Sequence, residues 1–213
     1  MSHLALHVCC APCMILPLEH LKERFERITV VYANSNIHPE AEYIRRRDFA
    51  RTFALQLGAE FVEVEYNPLK WMHAVADKKP RCVGCYELRL GEVAKWAAEN
   101  GADVVSTVLT ISPYQDHEAI ADCGRAACKA RGLVYLDESF VALYPQSINR
   151  SKAEHIYRQN YCGCAPSLQE SLVQQEQRAQ RKAALQKEKE QRRAQALINK
   201  QMKQKKKEHD RAH

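Results

Sequence analysis

Residues 4–33, LALHVCCAPCMILPLEHLKERFERITVVYA, decide the fold. A short apolar run at 4–8 meets two adjacent cysteines, gives way to apolar residues at helical spacing over about 15–27, and returns to a β-branched run at 28–33. Strand, helix and strand in so few residues predict a parallel pair joined by a crossover helix. Outward from this unit, further strand-like runs fall at 61–66, 104–107 and 133–136, and amphipathic helices at 39–57, 84–100 and 116–131. Gly58, Gly101 and Gly132 stand directly after helix-like stretches, where a left-handed stop is wanted. The alternation predicts an α/β protein, a three-layer Rossmann-like domain with a mainly parallel five-stranded sheet. Asn67-Pro68 predicts a short helix bearing Trp71, Met72 and Val75, read as a packing turn, and a last helix is expected near 147–157.

The chain has 213 residues, enough for one domain of roughly 150 residues with something left over. Hydrophobic residues at 46% and charged residues at 27% exclude wholesale disorder and a fibrous repeat. No apolar run approaches the ~18 to 20 residues of a membrane span, and the run at 4–8 is too short for a signal peptide. A cytoplasmic protein with no membrane partner is expected. The net charge of +6 is uneven: residues 168–213 hold 13 Lys and Arg against 6 Asp and Glu, and the first 167 residues hold 19 against 20. The predicted organisation is therefore an α/β catalytic domain at 1–167 and a basic tail at 168–213, helical or partly disordered. Its Leu168, Leu172, Leu185, Leu197, Ile198 and Met202 make no sustained heptad seam, so a coiled coil is not expected.

Nine cysteines in a reducing compartment are no disulfide framework, and metal binding or thiol redox chemistry is the better reading. Three groups stand apart: Cys9, Cys10 and Cys13; Cys82 and Cys85; Cys162 and Cys164. The first follows strand one, at the carboxyl edge where parallel sheets gather ligands. The second opens a helix, whose positive end favours thiolates. Adjacent thiolates bind two irons of one cluster more easily than a single tetrahedral zinc, so Cys9, Cys10, Cys82 and Cys85 can supply a [4Fe-4S] cluster; a zinc site of Cys10, Cys13, Cys82 and Cys85 stays open. Cys162 and Cys164 flank one glycine, a loop too short for an unstrained disulfide. They suit a redox relay, or else two further metal ligands. Cys123 and Cys128, five apart on a helix, read as small core residues.

With these residues in view, the sequence resembles the QueH family of epoxyqueuosine reductases, the cobalamin-independent type. The stretches that carry the resemblance are HVCCAPC, NSNIHPEAEYIRR, RCVGCYELRL, VLTISPYQDHE and RQNYCGC, in that order over about residues 4–168. The resemblance implies reduction of epoxyqueuosine to queuosine at the tRNA wobble position, the last step of queuosine synthesis. It implies a [4Fe-4S] cluster on Cys9, Cys10, Cys82 and Cys85, a redox-active pair at Cys162 and Cys164, and tRNA carrying epoxyqueuosine as partner. An electron donor such as a ferredoxin or flavodoxin is called for. Cys13 is left either as a spare thiol or as a ligand to an additional iron ion. Tyr114 departs from the more polar residue of many relatives, and the basic tail lies outside the shared core.

Asp116, His38 and His117 are candidate proton donors, because their segments follow strands and face the same edge; each has a competing role in capping or loop hydrogen bonds. Arg45, Arg46, Arg47, Arg81, Arg89 and Arg158 are candidates for RNA phosphate contacts, Tyr161 for base stacking, and the tail for an arm along the tRNA backbone. Other function classes stay on the table: a zinc-binding RNA-binding module without redox activity, a nucleotide-dependent tRNA-modifying enzyme, and a thiol–disulfide oxidoreductase. The second fits poorly, since HVCCAPC is no glycine-rich phosphate cradle.

Overall fold

The chain builds a single parallel sheet from β1 (His3–His7), β2 (Arg27–Tyr32), β3 (Glu60–Glu63), β4 (Val104–Thr107) and β5 (Val134–Tyr135), in the order β3-β2-β1-β4-β5. The computed structural model describes the backbone of residues 2–211, and the side chains of these except 197, 201 and 203–211. β1 is the central strand and every one of its residues is buried. Leu4 faces Ile28 on one side and Val104 on the other. Alternate residues of β1 serve opposite layers, as the two-residue period of a strand requires. Leu4 and Leu6 join a core with Met14, Leu18, Leu21, Ala50 and Ala54, and Ala5 joins one with Val93, Ala94, Ala97 and Cys128. Each buried leucine is worth roughly 1.5–3 kcal/mol against leaving it in water.

The helices of this domain are α1 (Ala11–Lys22), α2 (Glu40–Gln56), α3 (Pro68–Val75), α4 (Arg81–Glu99), α5 (His117–Lys129) and α6 (Tyr144–Ala153). The predicted glycine stops hold: Gly58, Gly101 and Gly132 have φ of 74°, 70° and 68°. Several boundaries differ from the sequence expectation, among them the end of α1, at Lys22 and not at 27. α1 begins at Ala11 and not at 15, because extended Cys10 (φ −170°, ψ 160°) leads straight into a first turn that accepts Pro12 without losing a hydrogen bond. Cys13 therefore lies on a helix. α4 begins at Arg81, which puts Cys82 and Cys85 in its opening turns. β3 ends at Glu63; Val64 still donates to the Tyr32 carbonyl (3.1 Å), and the chain then leaves the sheet. α6 spans Tyr144–Ala153, starting on a proline turn and ending before His155, whose φ is 52°.

From β1 the chain moves outward to β2 and β3, then returns across the sheet to β4 and β5 on the other side. The carboxyl ends of β1 and β4 are thus the switch point where a crevice opens. Cys9 and Cys10 follow β1 directly, and a turn of 3-10 helix, Val108–Ile111, follows β4.

Beyond Ala165 the chain is a separate unit. It is one helix, α7 (Ala165–Arg211), of 47 residues, with Leu172, Leu185, Ile198 and Met202 exposed. Among the described residues, no helix is long and apolar enough to cross a membrane.

Candidate metal–thiolate centre

The first cysteine group closes on itself. The sulfurs of Cys9, Cys10 and Cys13 lie within 4.8 Å of one another, with 3.8 Å between Cys9 Sγ and Cys10 Sγ. Extended Cys10 and helical Cys13 bring this about, since Cys10 is the residue just before α1 and Cys13 sits in its first turn. Gln159 Nε2 reaches Cys10 Sγ at 3.0 Å from the far end of the domain. Burial would by itself raise the Cys10 thiol, but contacts from Cys13 and Cys9, the Arg46 charge and the Gln159 amide hold it well below the ordinary thiol range. The same contacts work against its neighbours. Cys10 pushes Cys9 up to about 11, and Cys10 and Cys9 together with burial push Cys13 well up. One thiolate, at Cys10, is thus the preferred first ionisation of the triad.

The second group lines a small cavity. Cys82, Cys85, Cys162 and Cys164 form its walls with Asn36, Trp71, Arg81, Tyr86, Arg89 and Gln115. No disulfide joins any of the nine cysteines. Cys82 and Cys85 share a face of α4, whose first turn has neither a side-chain cap nor an acidic residue. The opening turn of α1 is equally bare. Two helix amino ends therefore direct N–H groups toward cysteines, positive ends that would suit a negative group held there. Gly84 lets α3 close on this wall, for a Cβ there would stand 2.2 Å from the Ala74 carbonyl oxygen.

The loop carrying Cys162 and Cys164 is clamped from below. Arg46, 1% exposed, donates to the carbonyls of Cys162 (2.9 Å) and Tyr161 (3.3 Å) and pairs with Glu42 (2.7 Å). Tyr161 lies against the Arg46 guanidinium and donates its hydroxyl to the His38 carbonyl at 2.5 Å. His38 N donates to Gly163 O at 2.8 Å. Gly163 has φ 139°, and a Cβ there would lie 3.0 Å from Ile37 Cγ1 and 3.1 Å from Asn36 Nδ2. Gln115 Nε2 stands 3.8 Å from Cys162 Sγ, and Tyr86 donates its hydroxyl to Gln115 Oε1 at 2.7 Å. Burial among these groups pushes the Cys162 thiol up to about 11.

Between the two cysteine groups lies Arg89, which acts electrostatically on Cys85, Cys9 and Cys162. Burial and the nearby Arg89 charge hold His7, at the end of β1, down to about 3. Around the cavity, both amide atoms of Asn36, Trp71 Nε1 and Arg89 Nε are buried without hydrogen-bond partners. No carboxylate lines it. Sulfur donors, positive helix ends, a buried cation and unsatisfied N–H groups together fit an anionic metal–thiolate group, which would accept those hydrogens.

The sequence expectations fare unequally. Cys9 and Cys10 are brought together, but with Cys13; Cys82 and Cys85 share their cavity with Cys162 and Cys164. Asp116 caps α5, its carboxylate accepting from Ala119 N at 3.0 Å. His117 bonds the Ser112 carbonyl at 2.9 Å, and His38 Nδ1 bonds the Asn36 carbonyl at 2.7 Å while its ring lies 5.3 Å from that of Trp71. Arg46 and Arg89, expected on RNA phosphates, are buried at 1% and 2% exposure and are interior residues. Arg47 pairs with Asp48 and Glu63, while Arg45 and Arg158 are exposed. Cys123 and Cys128 are buried in different cores, as their spacing predicts. Asn34, Asn36 and Gln159 lie within the stretches that carry the family resemblance, and Trp71 on the short helix read as a packing turn, but nothing in the sequence marks them as site residues. Arg89 is marked: it stands four residues after Cys85, on the same face of the helix.

A family model described as epoxyqueuosine reductase QueH matches residues 4–170. Among curated proteins, the epoxyqueuosine reductase QueH of Staphylococcus aureus (strain Mu50) is 37% identical over 175 residues, covering 75% of this chain and 72% of that protein. The protein of the same name from Streptococcus pyogenes is 38% identical over 173 residues, covering 75% and 68%. That from Haemophilus influenzae is 32% identical over 190 residues, covering 85% and 78%.

Proposed function

The chain belongs to the QueH family of epoxyqueuosine reductases, and on that premise we propose how its residues reduce epoxyqueuosine to queuosine in tRNA, the last step of queuosine synthesis. Converting an epoxide to an alkene takes two electrons and two protons and releases the oxygen as water. Side chains hold and deliver protons, but the low-potential electrons need a cofactor. Cys9, Cys10, Cys82 and Cys85 are the ligands of a [4Fe-4S] cluster, which when bound supplies electrons one at a time. Two observations support this reading: Cys82 and Cys85 line a cavity with unpartnered buried N–H groups and no carboxylate, and the buried Arg89 beside it acts on Cys9 as well as on Cys85, which joins the Cys9–Cys10 pair to that wall.

The chain's own residues do the rest. Cys162 and Cys164 form the redox-active pair that relays electrons: closing to a disulfide releases two electrons and two protons, and two electrons from the external carrier with two protons reopen it, so the carrier is the net reductant; Gln115 stands beside Cys162 to orient it. Asp116, next in sequence to Gln115, is the candidate proton donor, and its variant Asp116→Asn tests that role because asparagine keeps the cap. Electrons arrive from a carrier such as a ferredoxin or flavodoxin. The division into a catalytic domain at 1–167 and a basic tail at 168–213 assigns substrate RNA a second contact, with α7 running along the phosphate backbone. Deleting residues 169–213 is then expected to weaken tRNA binding and flatten its salt dependence, read from affinities at several salt concentrations. An unchanged slope removes the tail from the interface. The protein works in the cytoplasm, where its tRNA substrate is.

A second reading follows from one distance. The 3.8 Å between the sulfurs of Cys9 and Cys10 matches two thiolates on one tetrahedral ion, where bonds of about 2.3 Å put sulfurs roughly 3.8 Å apart. A single zinc or iron on Cys9, Cys10 and Cys13 is the alternative, or an iron additional to the cluster. Metal and acid-labile sulfide analysis separates the cases, since a lone ion brings no sulfide. The deciding experiment is nucleoside mass analysis of epoxyqueuosine-bearing tRNA after anaerobic incubation with the iron-loaded protein and a low-potential reductant. Loss of one oxygen, abolished by Cys82→Ser, is expected. A cluster-loaded protein that leaves the nucleoside unchanged overturns the assignment.

A further inference from the structure

Arg89 carries a buried charge that binding of the substrate does not by itself require. It is 2% exposed, makes no salt bridge with a carboxylate among the described residues, and leaves Nε without a partner. Its guanidinium is fixed from behind: Nη2 donates to Asn34 Oδ1 at 2.7 Å, and Asn34 Nδ2 donates to the Val8 carbonyl at 2.7 Å. The group is thereby tied to the end of β1, one residue ahead of Cys9. On its other side Nη1 stands 4.0 Å from Cys85 Sγ. A guanidinium stays charged at any working pH, and burying it without an anion costs several kcal/mol. Of the groups lining the cavity, the cysteines and Tyr86 can become that anion, and burial pushes the Tyr86 phenol up, which leaves the thiols.

We infer that Arg89 sets the reduction potential of the thiolate-held cluster, as a fixed positive charge beside the cysteines that would hold it. The inference rests on the [4Fe-4S] reading above. Adding an electron makes the cluster one unit more negative. A fixed cation in a water-poor surrounding stabilises that reduced form more than the oxidised one, and the potential rises. Arg89 is thus a positioning residue acting through the cofactor, distinct from the groups that meet the substrate. A purely structural arginine would affect folding and leave the potential where it was.

The test uses the full chain, reconstituted anaerobically with iron and sulfide. Iron, acid-labile sulfide and the visible spectrum come first, and a wild-type protein that takes up no sulfide overturns the cluster reading and this inference with it. At matched iron and sulfide content, redox titrations of wild type, Arg89→Gln and Arg89→Lys follow. The Gln variant is expected to show a reduced-to-oxidised ratio at least tenfold lower at the wild-type midpoint, about 59 mV for a one-electron couple, with the Lys variant nearer to wild type. Equal midpoints for wild type and Arg89→Gln, with the cluster present in both, overturn the inference and spare the cluster reading. Should Arg89→Gln fail to load, Asn34→Asp places a carboxylate against Nη2 and cancels the field with the arginine in place. A drop in the same direction is expected there, and an unchanged midpoint again overturns the inference.

Discussion

Two arginines are buried almost completely in this domain, and their surroundings differ in one respect. Arg46, on α2, has the carboxylate of Glu42 at 2.7 Å and spends its remaining donors on the carbonyls of Tyr161 and Cys162. Arg89, on α4, has an amide oxygen and a thiol sulfur, and no carboxylate among the described residues. The first is a clamp whose charge is balanced within the fold. The second is a charge the polypeptide leaves open at the place where the cysteines converge. Burial alone, common to both, therefore does not tell a structural residue from one that serves a site; the counter-charge does.

The comparison can be broken at its stronger side first. Arg46→Met leaves the half-buried Glu42 with only the Tyr157 hydroxyl and takes the donor from two loop carbonyls, and a loss of about 3 kcal/mol is expected, read by urea unfolding of the metal-free protein. A loss under about 1 kcal/mol would remove the clamp from the account. Gly163→Ala presses a Cβ to within 3.3 Å of Arg46 Nη1 and strains a backbone at φ 139°, so a loss of about 1–3 kcal/mol is expected, with faster alkylation of Cys162 as the loop loosens. Asp116→Ala removes the α5 cap for about 1 kcal/mol; Asp116→Asn leaves stability unchanged, and an unchanged single-turnover rate for it would also retire Asp116 as proton donor. The smallest effect sharpens the contrast most. Arg89→Met in the metal-free protein exchanges an uncompensated charge for an apolar chain and is expected within about 1 kcal/mol of wild type. A loss as large as that of Arg46→Met would make the two arginines alike.

Much of the architecture was legible because it rests on local rules. Short apolar and β-branched runs marked all five strands, and Gly58, Gly101 and Gly132 marked helix ends that a left-handed residue closes economically. Placement of the cysteines at the carboxyl edge followed from β1 being central in a parallel sheet. What stayed hidden depends on contacts between distant residues. Gln159 meets Cys10, and Arg46 meets Cys162, across more than a hundred residues of chain, and no periodicity reports such pairs. Arg46 and Arg89 read as surface charges because arginine is seldom fully buried. The Glu42–Arg46 spacing and the Cys85–Arg89 spacing, each one helical turn, were the local hints. α1 starts at Ala11, ahead of the expected 15, because a proline in the first turn, here Pro12, has no hydrogen bond to lose.

Because the thiols come from opposite ends of the domain, the order of synthesis matters to the living cell. Cys9, Cys10 and Cys13 leave the ribosome long before Cys164; at roughly 5–20 residues per second the wait is on the order of ten seconds or more. Throughout it they are open thiols on an unfinished chain, vulnerable to oxidants and to any stray soft metal, with neither Gln159 nor the Arg46 clamp yet made to enclose them. A metal that needs the finished centre could be held only after translation, and delivery confined to the completed domain would spare these thiols from premature or mistaken filling.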